Sequence, residues 1–269
     1  MKEKFFIHDN SFSHSYSSSW YHKPENFEWV RQDHHLFENI VITDLFMVDK
    51  YFGKKIYGWL IEPESLIPKQ YEYAINNINK FNKIFTYDVS LLKISDKFEL
   101  LPIGGCWIEK DDRKIYEKTK LISTIASSKN LLTGHKLRHE IIKKINNIDA
   151  YGSTYKKLSI KLDGLKEYMF SIVVENEKLD YLFTEKIIDC FMTGTIPIYW
   201  GCPSIGDFFD INGILVFNNI DELTSIIKKI DIETYYNKIE AVQNNFKICT
   251  KYSVADDLIY NKIKEIHNI

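Results

Sequence analysis

An α/β fold with a largely parallel sheet follows from three observations. Short apolar runs rich in β-branched and aromatic residues alternate with amphipathic stretches of helical period along the chain. One of those runs, FSIVV, reads as a buried strand leading straight into an acidic and amide pair. The chain is also long enough, at 269 residues with 17 Tyr and 17 Phe, to build one large core or two smaller ones.

In the first half, strands are expected at residues 4–8, 39–46, 55–61, 83–87 and 98–103. A helix is expected over 69–82, with Tyr71, Ile75, Ile78 and Phe81 as its apolar stripe. The charged stretch 107–120, WIEKDDRKIYEKTK, follows Gly104-Gly105 and reads as a linker. A second half then offers strands at 121–126, 148–151, 170–175, 195–200 and 214–217. Helices are expected from Gly134 to Asn146, after Thr184, and in DELTSIIKKI with Asp221 as its N-cap. An amphipathic helical region closes the chain from Glu233, with Tyr235, Tyr236, Ile239, Val242 and Phe246 facing the core. The division expected is 1–110, 111–245 and a C-terminal helix at 246–269 that packs back on the first domain. The serine-rich stretch SFSHSYSSSW at 11–20 reads as a polar loop after the first strand.

The formal net charge of -2 carries no nucleic-acid footprint. Lysine is the default cation, since Arg31, Arg113 and Arg138 are the only arginines. The four cysteines, Cys106, Cys190, Cys202 and Cys249, form no C-x-x-C pair and read as isolated buried thiols. The opening KEKFFIHDNS turns polar too soon for a signal peptide, and no apolar run reaches membrane-spanning length. A cytoplasmic protein, or one peripheral to the inner face of a membrane, is expected.

The run YMFSIVVENEKLDYLFTEKIIDCFMTGTIPIYWG, residues 168–201, carries the functional signal. Thr184 suits an N-cap, and Glu185 in the first turn suits the helix dipole. Lys186 beside it does not, unless an anion sits there too, and helix N-termini are ready sites for phosphate. The sequence pattern aromatic-x-F-x-x-x-x-E-N, D-Y-x-x-T-E-K, G-T-I-P-I-Y-W-G resembles the signature of glycosyltransferase family 10, the α1,3/4-fucosyltransferases.

That resemblance implies two Rossmann-like domains with a cleft between them, the GT-B arrangement, here in a compact version. It implies an inverting transferase moving L-fucose from GDP-fucose to a GlcNAc- or galactose-containing glycan, such as lipopolysaccharide or capsule, in a bacterial or viral setting. Lys186 would contact the diphosphate and Glu185 the sugar. Arg138, in the helix GHKLRHEIIKKI, would be a second diphosphate cation, a role suited to a planar, bidentate guanidinium. Glu175 and Asn176 would hold the nucleotide and its ribose, with Tyr168 at the front of the same motif and Thr184 capping the helix. No cofactor and no metal is implied beyond the donor itself.

A base must take the proton from the acceptor hydroxyl. The run YGWLIEPES supplies Glu62, at the expected strand end, and Glu64, within the E-S dipeptide of the family, and both remain candidates. His135 and His139 stand four apart, but no further ligand pattern accompanies them, and Asp111-Asp112 is not D-x-D. The family's heptad tails are absent, so no sequence-level dimerisation device is seen. Two other readings stay open: a family-10-like transferase using another nucleotide sugar, and a catalytically silent glycan- or nucleotide-binding protein.

Overall fold

The computed structural model describes residues 2–9, 22–44 and 48–267. The expected loop at 11–20 lies outside them, as does the far end of the strand expected to reach Phe46. The chain divides into two units, one formed by Met1–Ile103 with Val254–Ile269 and the other by Gly104–Ser253.

The first unit is a six-stranded, all-parallel sheet. Its strands are β1 (Glu3–His8), β2 (Phe27–Val30), β3 (Asn39–Thr43), β4 (Lys55–Trp59), β5 (Lys83–Thr86) and β6 (Phe98–Leu100), in the order β2-β1-β3-β4-β5-β6. The helices α1 (Pro68–Asn76) and α2 (Val89–Leu92) follow β4 and β5. Side chains alternate across the sheet as the pleat requires. Phe6, Ile40, Ile42, Ile56 and Ile84 pack on one face with Tyr71 and Ala74 of α1. Phe5, Val41, Tyr57, Trp59 and Phe85 pack on the other. Burial on both faces is why these strands read as unbroken apolar runs.

The second unit is a five-stranded parallel sheet in the order β11-β10-β9-β7-β8. Its elements are β7 (Lys120–Ile125), α3 (Thr133–Lys144), β8 (Asp149–Tyr151), β9 (Tyr168–Val174), α4 (Glu185–Phe191), β10 (Ile196–Trp200), β11 (Leu215–Val216), α5 (Ile220–Ile227), α6 (Ile232–Tyr236) and α7 (Ile239–Ile248). All seven residues of the central strand β9 are buried. One face packs Val173 and Tyr199 against Ile187, Ile188 and Phe191 of α4. The other packs Phe170, Ile172 and Ile198 against Ile141 of α3, Leu223 of α5 and Val242 of α7. The final helix, α8 (Ala255–His267), belongs to the first unit, where Ala255, Ile259 and Ile263 cover the Phe5, Tyr57 and Trp59 face.

Several local expectations change. The expected helix 69–82 stops at Asn76, because the Asn77 side chain donates to the Tyr73 carbonyl and competes with helical continuation. A separate 3₁₀ turn follows at Ile78–Lys80, and Ala74 rather than the half-exposed Ile75 fills the stripe. The N-cap of α5 is Asn219, whose Oδ1 accepts from the Glu222 N–H, and Asp221 lies inside the first turn. The short strand β2 has no counterpart in the sequence reading; four residues are too few to show a period. The segment 107–120 is not a free linker: Ile108 is in the second unit's core and Trp107 N–H bonds Asp189 on α4. All four cysteines are free and buried. Among the described residues, no helix is long and apolar enough to cross a membrane.

Candidate functional site

In parallel α/β sheets, ligands bind at the carboxyl ends of the strands. In the second unit, β9 ends in Val174, and the next two residues, Glu175 and Asn176, sit where α3 and α4 begin. Close approach of α3 depends on Gly134. A Cβ there would lie 1.8 Å from the Glu175 carbonyl oxygen, and the Gly134 N–H donates to the Asn176 carbonyl. Only glycine allows that contact.

Glu175 is fully buried, and its carboxylate is spent on α4. One oxygen accepts from the Thr184 N–H at 3.0 Å, and the other from the Thr184 hydroxyl at 2.8 Å. Lys186 Nζ adds a contact to that second oxygen at 3.2 Å. Thr184 is the N-cap, as expected, and its Oγ1 also accepts from Lys186 Nζ at 2.9 Å. Lys186 stands 3.5 Å from a Glu185 oxygen. Thr-Glu-Lys therefore folds into a knot around a buried carboxylate. Glu175, expected at the ribose, holds Thr184 and Lys186 in place.

Arg138 is reached from the same strand end. Its Nε and Nη2 donate to the Val174 carbonyl at 2.9 and 2.6 Å, and Nη2 donates to Asn176 Oδ1 at 2.9 Å. Burial pushes its pKa down while Glu175 and Glu185 oppose the shift, and a guanidinium stays charged regardless. Its Nη1 has no partner among the described residues. His135, one turn earlier on α3, accepts from the Leu132 N–H through Nδ1. Burial and the nearby Arg138 lower its pKa to about 4, so it is neutral at pH 7 and adds no cation. Both nitrogens of His139 are engaged, with the Tyr155 hydroxyl and the Lys129 carbonyl, so it does not join His135.

Two residues passed over in the sequence complete the charge pattern. Asp189, on the buried side of α4, holds Lys161 Nζ at 2.6 Å, and Lys161 also reaches Glu185 at 3.8 Å. Burial disfavours charge on Lys161, but Asp189 and Glu185 outweigh it and its pKa rises. Burial likewise works against an ionised Glu185, yet Lys186 and Lys161 bring its carboxyl from 4.5 down to about 2. Glu185 is thus an anion throughout the physiological range and a poor base. Lys161 lies in the 3₁₀ turn Lys161–Gly164, far from the motif in sequence, and no local pattern marks it.

Within the second unit, Tyr168 is not brought to this point. Tyr168 begins β9, at the opposite end of the strand from Glu175. Its hydroxyl bonds Asp149 and Tyr151 in the interior. Glu62 and Glu64 belong to the first unit, beyond the carboxyl end of β4, which stops at Trp59. Glu62 is half-buried, its backbone carbonyl accepts from the Tyr71 hydroxyl, and its carboxylate has no partner among the described residues. Glu64 is exposed in the following turn. Asp44, buried after β3, accepts from the Ile61 N–H and shapes the approach to Glu62.

The two parallel-sheet units and this strand-end charge cluster define a nucleotide-sugar transferase class of fold. The profile of glycosyltransferase family 10 (fucosyltransferase), C-terminal part, matches residues 115–262, and the chain belongs to that family. It is 33% identical over 97 residues to the α-(1,3)-fucosyltransferase FucT of Helicobacter pylori, covering 34% of this chain and 20% of that protein. It is 32% identical over 102 residues to the GDP-fucose protein O-fucosyltransferase 3 of Bos taurus, covering 31% of this chain and 21% of that one. The matched part thus spans about a fifth of the length of these curated relatives. A crystal structure of an α1,3-fucosyltransferase shares the fold, with a TM-score of 0.56 at 18% identity over 85% of this chain and 80% of that one. TarM is similar with a TM-score of 0.51 at 13% identity, over 84% and 54% of the two chains. The α/β fold of GT-B type expected from the sequence is the fold of these neighbours.

Proposed function

We propose that this chain is an inverting glycosyltransferase that moves L-fucose from GDP-fucose to a hydroxyl of a glycan, such as lipopolysaccharide or capsule. A crystal structure of an α1,3-fucosyltransferase of the same fold was solved with GDP-fucose, and the relatives in sequence are named for fucosyl transfer. The observation that supports the reading most is the Lys186 ammonium, held by Thr184 and Glu175 beside the ionised Glu185. A cation fixed by buried partners stabilises a departing diphosphate without reorganising at the moment of reaction.

In this reading Lys186 and the Nη1 group of Arg138 take up the diphosphate charge, and Asn176 orients the nucleotide. Glu185 faces the sugar, where a permanent anion favours the positive charge that develops at C1. Glu62 or Glu64 removes the acceptor proton as its oxygen attacks C1 opposite the departing GDP. The diphosphate is met by protein cations rather than a metal ion, and the donor is the one small molecule required. The protein would work in the cytoplasm or against the inner face of a membrane.

Calorimetry with GDP tests the reading. The unsubstituted protein should bind, and Lys186→Ala should weaken binding at least about 100-fold, or about 2.7 kcal/mol. An unchanged affinity would sink the diphosphate assignment. Glu62→Gln and Glu64→Gln should both bind GDP normally, and the one that loses transfer is the base. One observation favours a second reading, a silent nucleotide-binding protein: most donor groups of Arg138 and Lys186 already have protein partners. GDP binding without turnover on any nucleotide sugar would select it. A thermal-shift panel of nucleotide sugars separates fucose from other donors.

A further inference from the structure

In the first unit, one strained residue ties the carboxyl ends of β3 and β4 together. The last paired residues of these strands are Thr43 and Trp59. One step further, the Asp44 N–H still donates to the Trp59 carbonyl at 3.1 Å. Asp44 itself is buried and takes a positive φ of 31°. Few side chains accept such an angle, and Asp and Asn do so most readily. A strained residue of this kind persists only where the contacts around it fix it.

The turn aims the Asp44 carboxylate at the segment that leaves β4. Its Oδ1 accepts from the Ile61 N–H at 2.8 Å. The residues on either side are held as well. The Leu60 N–H donates to the Phe85 carbonyl at 2.9 Å, and the Glu62 carbonyl accepts from the Tyr71 hydroxyl at 3.3 Å. Burial first, and the charge of Asp88 next, push the Tyr71 pKa up, so its hydroxyl stays a neutral donor. Pro63 is buried, its ring fixes its own φ, and its carbonyl accepts from the Leu66 and Ile67 N–H groups. The backbone from Leu60 to Pro63 is thus anchored at every residue.

Glu62 stands in the middle of that frame, half-buried, with a carboxylate that has no partner among the described residues. This is the reverse of Glu175, whose carboxylate is consumed by its neighbours. Glu64 lies exposed in the turn beyond Pro63. A base acts only within hydrogen-bond reach of its proton, and a misplacement of about 1 Å can cost about 100-fold in rate. We propose that Asp44 is a positioning residue for the base: through the Ile61 N–H it fixes the backbone that carries Glu62, Tyr71 holds the other side of that residue, and Glu62 rather than Glu64 takes the acceptor proton. The proton moves to a Glu62 oxygen as the acceptor oxygen bonds to C1 and the bond from C1 to the diphosphate breaks. The inference rests on the transfer reading above and adds the two side chains that fit one of its acids to the task.

The test follows GDP release from GDP-fucose by the full chain, with N-acetyllactosamine as acceptor, beside GDP affinity by calorimetry. Asp44→Ala should lower kcat about 100-fold and leave both GDP affinity and the KM for GDP-fucose unchanged. Asp44→Asn keeps an oxygen for the Ile61 N–H and tolerates the same backbone angle, so it should restore most of the loss. Tyr71→Phe should lower kcat about fivefold, the scale of one hydrogen bond. An unchanged kcat in Asp44→Ala would overturn the proposal, as would an Asn variant as slow as the Ala variant. An equal loss of GDP affinity would also overturn it, because Asp44 would then support the fold alone. If Asp44→Ala does not fold, Tyr71→Phe decides, and an unchanged kcat there overturns the proposal. Transfer that survives Glu62→Gln would remove the base itself. If the unsubstituted protein releases no GDP, the transfer reading fails and this inference goes with it.

Discussion

At the carboxyl end of the second sheet, Lys161 and Lys186 are each set against carboxylates: Asp189, Glu185 and Glu175. At the amino end, Lys118 is buried more deeply and has only neutral oxygens around it. Its Nζ donates to the Thr193 carbonyl at 2.8 Å, the Thr195 hydroxyl at 3.0 Å and the Lys166 carbonyl at 3.1 Å. Burial without a countercharge pushes its pKa down to about 7, whereas Lys161, with countercharge, moves up. The same sheet thus buries lysine in two ways. Countercharge from Asp189 and Glu185 keeps Lys161 charged. The unpaired one titrates near neutrality, and its hydrogen bonds pin the turn around Gly194 that starts β10.

Breaking the pairing should have the largest effect. Asp189→Asn leaves Lys161 buried beside Glu185 alone and should destabilise the protein by about 4 kcal/mol in urea unfolding, the scale for removing one partner of a buried ion pair. A loss under about 1 kcal/mol would mean that Lys161 finds water instead, and the contrast between the two ends would fade.

The pH response of Lys118 sharpens the comparison from the other end. Its folded pKa, about 7, lies below its ordinary 10.5. Between those values the unfolded chain holds the proton and the folded chain does not, so stability rises with pH across that window. Relative to Lys118→Met, the unsubstituted protein should gain about 2 kcal/mol between pH 7 and 9 in parallel urea titrations. The folded pKa of Glu185 is depressed too, in its own, more acidic window: its contribution is present above pH 4.5 and lost as pH falls toward about 2. Parallel pH slopes for Lys118→Met and its parent would show that the amino-end lysine is solvated.

The smallest effect should come from Thr184→Ala. It removes the cap of α4 and one oxygen bonded to Lys186, and should cost about 1 kcal/mol of stability. If Thr184 also steadies Lys186 for the ligand, GDP binding should weaken along with it.

How much of this was legible in the sequence differs from residue to residue. The Thr184 cap and the neighbouring Glu185 and Lys186 were readable because capping is local and its residue types are few. Arg138 stood out by type, but its carbonyl partner, Val174, is 36 residues away and nothing local points to it. Tyr168 was placed with the motif by adjacency in sequence. A strand of seven residues spans about 23 Å, so its two ends serve different places. Lys161 and Trp107 left no signal, because each depends on an approach made by a loop from elsewhere. Glu62 was visible as a strand-end acid, although β4 stops three residues earlier and Asp44 supports the turn between them.

By itself the sequence determined the alternating α/β pattern, the parallel strands buried on both faces, and the motif from 168 to 201. These depend on short-range period and on residue types with narrow local uses. Only the tertiary structure decided that Glu175 turns inward to hold Thr184 and Lys186, and that Gly134 must lack a Cβ. It alone set Lys161 between Asp189 and Glu185. Those outcomes depend on which distant groups share a buried volume, and there a charge is stable only when its partner arrives by another route through the fold.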